Sequence, residues 1–329
     1  DAITEAGDNV LVGKEAGTAL TTGPQNVFVG SEAGESAVGA GYNIAIGSDA
    51  YKTAVTGNYN IAIGKNAMNN GLVTANFALG IGYEALKNLT SAGATLAIGA
   101  YAGRNHTTGS DNVYIGHNAG SGSTSAGSNV AIGKDALMAV QDSTNGGLNT
   151  AVGQGAAVDT TGMRNTMLGY KAGYTSTSAN SNVAIGYEAG YKNTTGDSNV
   201  FIGNKAGPSS TSTASNELYI HNNEGTPLIG GDFSAGTVTI NGVLSATAKS
   251  FNIEHPLYKD KRLVHGSLEG PEHGIYIRGT IEASKGCEIE LPDYWQAMCD
   301  EYTVQLTPHG PYTVFIQEKH KDKVMIASS

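Results

Sequence analysis

Charge is scarce in this chain. Lys, Arg, Asp and Glu make up 15% of its 329 residues and leave a net charge of −10. No basic stripe offers a face to nucleic acid or to an anionic membrane, so neither is expected as a partner. The two cysteines, Cys287 and Cys299, sit in no CxxC and beside no paired His. They are expected to be reduced thiols and exclude a disulfide framework. No apolar run reaches about 18 residues, and neither a signal peptide nor a stop-transfer pattern is visible, so a soluble chain is expected. The opening "DAITEAGDNV" lacks Met, as a fragment would. Also missing are a G-x-S-x-G nucleophile elbow and the G-G-x-G-x-D nonapeptide that binds calcium in β-roll toxins. No catalytic, cofactor-binding or metal-ligating residue is assigned, and no cofactor is expected.

What is abundant is glycine, at 46 residues about twice its usual share of roughly 7%. Its distribution is uneven: 40 of the 46 precede residue 245, whereas 5 of 8 Pro, 5 of 8 His, both Cys and the single Trp follow it. A boundary is expected near there. The net charge divides as −7 before it and −3 after. Regular Val/Ile pairs argue against a disordered reading of this turn-rich composition.

Those pairs belong to a repeat. The Gly that closes each pair falls at 13, 30, 47, 64, 82, 99, 116, 133, 153, 169, 186 and 203. Eight of the eleven steps are 17 residues; one is 18, one 16, and one 20, where "QDSTNGG" is inserted. Three residues after every one of these Gly stands Ala, and four before it stands Asn in ten of twelve, the exceptions being Ala78 and Thr95. Between Asn and Gly, apolar residues alternate at period 2, which is a short strand and not a helix. "TTG" at 21–23, 107–109, 160–162 and 194–196 supplies the turn chemistry.

A fixed period of this length is the pattern of a solenoid. Each unit reads as one coil of a parallel β-solenoid, a β-roll of about 12 coils of ~17 residues; at roughly 4.8 Å per coil the stack spans about 58 Å. Stacking places like on like. Ala then suits a tight corner, and the Asn amide can hydrogen-bond to its copy one coil away.

The middle residue of each strand points away from the Val/Ile pair: Leu11, Phe28, Ala45, Ala62, Gly80, Ala97, Tyr114, Ala131, Ala151, Met167, Ala184 and Phe201. None is charged, so the strand is apolar on both faces, which is the pattern of burial on both. One face fills the coil's core. The middle-residue face is expected to meet another copy of the chain, the alternative being an exposed flat stripe of Ala and Gly.

The "NVAIGxxA" unit resembles the head repeat of trimeric autotransporter adhesins of the YadA type. That resemblance implies left-handed β-rolls, three chains side by side; the family's usual unit is shorter, about fourteen residues. Seventeen residues after Asn199, Asn216 opens one more strand in "NELYIHNNEGTPLIGGDF", but Ile220 replaces the Gly and the Ala corner is gone, as in a cap that blocks further stacking. "GTVTINGVL" (236–244) reads as a strand with an N-G turn. The division is then 1–215 repeat array, 216–248 capping and connecting segment, and 249–329 a small antiparallel β-rich domain.

From about 216 onward the chain resembles the C-terminal region of tailed-phage fibre proteins, most distinctively in "HGSLEGPEHGIYIRG" (265–279). The S-D-x-R-L-K stretch of the self-cleaving chaperone found in many such fibres is absent. "EYTVQLTP", "PYTVFIQEK" and "KVMIAS" alternate at period 2 and are expected to form an antiparallel meander; "LPDYWQAMC" (291–299) suits a short helix packing Trp295. Together the two resemblances imply a homotrimeric tail fibre protein on the virion, extracellular, binding other tail proteins and a host-surface glycan or protein. It would act as a non-enzymatic spacer and attachment device. The alternatives are a bacterial trimeric adhesin head, a polysaccharide-cleaving tailspike with paired carboxylates in a groove, and a Thr-laddered ice-binding solenoid, which the irregular Thr columns disfavour.

Candidate chemistry is sparse. His255, His265, Glu269, Glu272 and His273 are the densest set of possible metal ligands, but their spacing fits no zinc motif. Ser, Glu and His also co-occur in "SLEGPEHG", with nothing to place the His beside the Ser. Acidic residues recur two positions after the repeat Gly at Glu15, Glu32, Asp49, Glu84, Asp135 and Glu188. Carboxylates stacked one coil apart repel by about 1 kcal/mol per pair even in water. They must be solvated, neutralised by neighbours such as Lys14 and Lys65, or bridged by cations. Tyr83, Tyr170 and Tyr187 follow the corner Gly, with Tyr174 and Tyr191 nearby; they suit spacer packing or a platform for sugar rings.

Overall fold

The computed structural model of the chain describes residues 7–139, 147–245, 250–254, 257, 261–266, 280–282, 287–295, 301–311 and 313–328. It divides into two compact units, 1–243 and 244–329.

The first unit is an all-β parallel solenoid. Its twelve coils carry strands β1 (Val10–Val12), β2 (Val27–Val29), β3 (Ile44–Ile46), β4 (Ile61–Ile63), β5 (Leu79–Ile81), β6 (Leu96–Ile98), β7 (Val113–Ile115), β8 (Val130–Ile132), β9 (Thr150–Val152), β10 (Thr166–Leu168), β11 (Val183–Ile185) and β12 (Val200–Ile202). Each pairs in parallel with the next in sequence order. Register is set by the repeat: Val10 lies on Val27, Ile44 on Ile61, Val183 on Val200. The insertion between β8 and β9 does not disturb it, since Val130 still pairs with Thr150.

The corner explains the Gly column. Each repeat Gly from 13 to 186 has φ between 127° and 142°, and a Cβ there would sit 2.2 to 2.7 Å from the carbonyl oxygen of the next repeat Gly. Any side chain would force the coils apart. The Ala three residues on closes the turn, its N–H donating to that Gly carbonyl at 3.2–3.4 Å. From Ala33 to Ala206 this Ala is at most 1% exposed.

The Asn column forms a buried ladder. Where Asn stands in successive coils the side-chain oxygen accepts the backbone N–H of the next Asn, as in Asn26 Oδ1 from Asn43 N (2.9 Å) and Asn182 Oδ1 from Asn199 N (2.8 Å); Asn60 and Asn199 accept instead from Ala78 N and Glu217 N. The amide nitrogen donates to a next-coil carbonyl, as from Asn26 to Ala40 (2.8 Å) and from Asn182 to Gly196 (2.9 Å). Most of these polar groups, sealed from water, are thereby satisfied along the stack, the exception being the buried Asn129 amide nitrogen, which has no partner among the described residues.

The core is one side chain thick, and here the expected facing is reversed. From Phe28 onward the middle residue of every strand is buried inside the coil, and the Val/Ile/Leu pair beside it faces outward. The narrow interior explains the exchange. A large middle residue is matched by a Gly six positions later, and a small one in several coils by a large residue there: Phe28 with Gly34, Ala45 with Tyr51, Ala62 with Met68, Ala131 with Leu137, Met167 with Gly173. A Cβ on Gly34 would lie 2.5 Å from the Phe28 ring, and one on Gly120 would lie 2.3 Å from the Tyr114 ring. Each coil has room for one large side chain.

Coils 6, 9 and 11 have small residues at both places, Ala97 and Gly103, Ala151 and Ala157, and Ala184 and Gly190; coil 6 is filled by His106, fully buried and edge-to-face with Tyr114 at 5.6 Å. His106 Nε2 bonds the Gly109 carbonyl, while Nδ1 has no partner among the described residues. Burial holds its pKa below the usual value.

At the far end β13 (Glu217–Ile220) continues the stack in parallel, with Tyr219 on Phe201. The chain then reverses through β14 (Ile229–Asp232) and β15 (Thr237–Ile240), both antiparallel, which ends the coil stacking.

The second unit holds an antiparallel pair, β16 (Ser250–Glu254) with β17 (Arg262–Gly266), and a three-stranded antiparallel sheet. The sheet's strands are β18 (Cys287–Glu290), β19 (Val314–Lys319) and β20 (Lys323–Ser328), in the order β18-β20-β19. The expected meander is therefore incomplete: residues 302–308 carry no ladder. Side chains hold that segment instead, with Tyr302 Oη donating to the His320 carbonyl at 2.5 Å and Lys319 Nζ to the Tyr302 carbonyl at 2.6 Å. Trp295 is buried against Tyr302, with its backbone N–H on the Pro292 carbonyl; the rest of the expected helix, 296–299, lies outside the described residues.

Candidate functional site

The outer face of the solenoid carries three kinds of column. The first is apolar. The residue before each repeat Gly is exposed at Val12 (55%), Ile46 (40%), Leu168 (46%) and Ile185 (36%), and half-buried at Val29, Ile63 and Ile115. The outward strand face bears no charge over twelve coils. An uncharged stripe of Val, Ile, Leu and Thr side chains this long is a candidate interaction surface.

The second column is ionic. Every carboxylate in it named above has a cation or amide beside it. Lys52 gathers three: it bonds Glu32 and lies 3.4 Å from both Glu35 and Asp49. Burial works to raise the Asp49 pKa, but the Ser48 hydroxyl and Lys52 outweigh it and hold the carboxyl low. Lys14 pairs with Glu15 (3.3 Å), Lys205 with Glu188 (3.5 Å) and Lys134 with Asp135 (3.8 Å). Glu84, 5% exposed, receives Lys87 Nζ at 2.8 Å and Arg104 Nε at 2.6 Å. Burial pushes Glu84 up and those two bonds bring it below the usual carboxylate range. Lys65, expected as a neutraliser, is in no ion pair among the described residues. The partners of Glu32, Asp49 and Glu84 come from the column three positions further on, at Lys52, Lys87 and Arg104, whose spacing of 3 within a coil and 20 across coils was available in the sequence.

The third kind is aromatic. Tyr42, Tyr59 and Phe77 stack at 4.8 and 5.3 Å with rings within 12° of parallel; sequence reasoning missed this ladder, although its 17- and 18-residue spacing signals it. Tyr170 stacks on Tyr187 (5.2 Å, 14°) and Tyr174 on Tyr191 (5.4 Å, 10°), with Lys171 Nζ over Tyr170 and Tyr174 at 5.3 and 5.2 Å. Rings stacked at the coil spacing cover one another's faces and present edges, which suits spacer packing. Tyr83 is different: it meets Tyr101 at 88° and 5.3 Å, and the two line a cleft of about 400 Å³ with Glu84, Arg104, Asn105 and Asn118.

Of the possible metal ligands, His255, Glu269, Glu272 and His273 lie outside the described residues, as does the "SLEGPEHG" segment; His265 is in β17, paired with Phe251. Among the described residues no three His, Cys, Asp or Glu side chains are placed to hold a metal ion. Cys287 is a free thiol in β18, and Cys299 lies outside the described set. No described helix is long and apolar enough to cross a membrane. No protein-family model, curated protein or solved structure matches this chain.

Proposed function

We propose that the chain is a structural attachment protein, a tail fibre component of a tailed phage, in which three copies associate side by side along the solenoid. The fibre is extracellular, on the virion, joined to other tail proteins and directed at a host-surface glycan or protein. The observation that carries this reading is the outward Val/Ile/Leu stripe, which water would cover in a lone chain. Burying it between copies gives a stiff rod whose length scales with coil number, and three identical faces turn weak contacts into avidity. The outer columns and loops are where a receptor would touch.

Attachment here needs no catalysis. A glycosidase requires a carboxylic acid that stays protonated near neutral pH; Glu84, the buried carboxylate of the cleft, is pulled the opposite way by Lys87 and Arg104. The test is adhesion of labelled protein to bacterial surfaces before and after periodate or protease treatment. Loss with periodate alone assigns a glycan, and loss with protease alone a protein. Adhesion to no tested surface would refute attachment, and new reducing ends released from surface polysaccharide would replace the reading with an enzymatic tailspike.

A further inference from the structure

The cleft between coils 5, 6 and 7 departs from the rest of the outer surface in ways that point to one ligand chemistry. Elsewhere on the coil columns the ladders Tyr42/Tyr59/Phe77, Tyr170/Tyr187 and Tyr174/Tyr191 stack ring on parallel ring. Column one position after the repeat Gly reads Tyr83, Ala100, His117: the small Ala100 interrupts the stack, and Tyr101 from the next column stands at 88° to Tyr83 and 86° to His117. Tyr83 thus has no parallel ring over it, and it is 42% exposed.

The polar lining is incomplete in a matching way. Asn105 Oδ1 accepts from Asn88 at 3.2 Å, and its amide nitrogen has no partner among the described residues. Asn118 donates its amide nitrogen to Asp135 at 3.0 Å, leaving its oxygen open. Arg104 commits Nε to Glu84 and lies 5.6 Å from the Tyr101 ring centre, so the rest of its donor fork is unspent. A donor, an acceptor and a guanidinium edge beside a partly exposed tyrosine ring with no parallel partner suit vicinal hydroxyls on a ring with an apolar C–H face. The volume, about 400 Å³, lies in the range of small-ligand sites.

We propose that this cleft is a saccharide-binding subsite, with a pyranose ring on Tyr83 and its hydroxyls on Asn105, Asn118 and Arg104. The proposal rests on the attachment reading and names its receptor class as glycan. In a three-chain fibre the site is present three times at one height.

Saturation-transfer NMR on the full chain tests it, using the methyl pyranosides of glucose, galactose, mannose and N-acetylglucosamine as probes at millimolar concentration. At least one should receive saturation, strongest on the protons of one ring face. Tyr83→Ala should weaken that signal about fivefold to tenfold, the value of one aromatic contact. Tyr187→Ala, far from the cleft on a ring stacked against Tyr170, should leave it unchanged; both positions are exposed, so both variants should melt with the parent chain. No transfer to any of the four, or transfer undiminished in Tyr83→Ala, overturns the proposal. Pyranoside binding through Tyr83 without cell adhesion would refute attachment and keep the subsite. Adhesion without pyranoside binding would do the reverse.

Discussion

Replacing Asn182 by Ala removes one rung of the buried ladder, and the structure says what is lost. Asn182 is 1% exposed. Its oxygen accepts the Asn199 N–H at 2.8 Å and its nitrogen donates to the Gly196 carbonyl at 2.9 Å. Its own backbone N–H keeps Asn165 as partner and the Gly196 carbonyl keeps the Asn193 amide at 2.9 Å, so one buried backbone group, the Asn199 N–H, is orphaned. An unsatisfied buried group costs roughly 1–3 kcal/mol, which is the loss expected here. Because a coil touches only its neighbours, the damage should stay local. Hydrogen exchange should show lost protection at Asn199 and in β11 and β12, with β2 to β4 unaffected, and the denaturant midpoint should fall. Asn223→Ala, an exposed change near the cap, should shift stability by no more than about 0.5 kcal/mol. A cost for Asn182→Ala as small as that, or uniform loss of protection along the solenoid, would refute the ladder as a source of stability.

Three further outcomes follow from the packing and the charges. Gly173→Leu drives a Cβ to within 2.5 Å of Met167 Sδ and should cost about 1–3 kcal/mol; adding Met167→Ala recreates the arrangement of Ala131 with Leu137 and should recover most of it in a melting experiment. His106 has a folded pKa lowered by burial, so the unfolded chain takes up the proton first. Stability should hold above about pH 6.5 and decline as pH falls below it, and His106→Asn should flatten that slope; an unchanged slope would remove His106 as its source. Ile132→Asp combined with Ile185→Asp puts carboxylates on the outward stripe and should lower the solution mass while leaving the far-ultraviolet circular dichroism of the coil intact.

Much of this fold is readable from residues because stacking writes the same constraint into every coil. The Gly, Ala and Asn columns gave the period, the strand and the parallel stacking, since each answers a contact with its own copy one coil away. Which face of the strand turns inward was not readable by hydrophobicity. Ala and Gly sit inside because the core is one side chain thick, and the matching of Phe28 with Gly34 or Ala131 with Leu137 carries that information across six positions. The cleft was half visible: Tyr83 stood out, but the missing ring at Ala100 and the turn of Tyr101 into the gap depend on neighbours in space. The C-terminal sheet was misread at 302–308, where period-2 alternation is present and the strand partners are not.

The central claim is that copies of this chain cover the outward Val/Ile/Leu stripe, and the mass of the purified protein by light scattering, with and without denaturant, tests it most directly. The account predicts an assembly of three chains, about 100 kDa from subunits of 33.7 kDa, that falls to the single-chain value when unfolded. A native mass of one chain would contradict it.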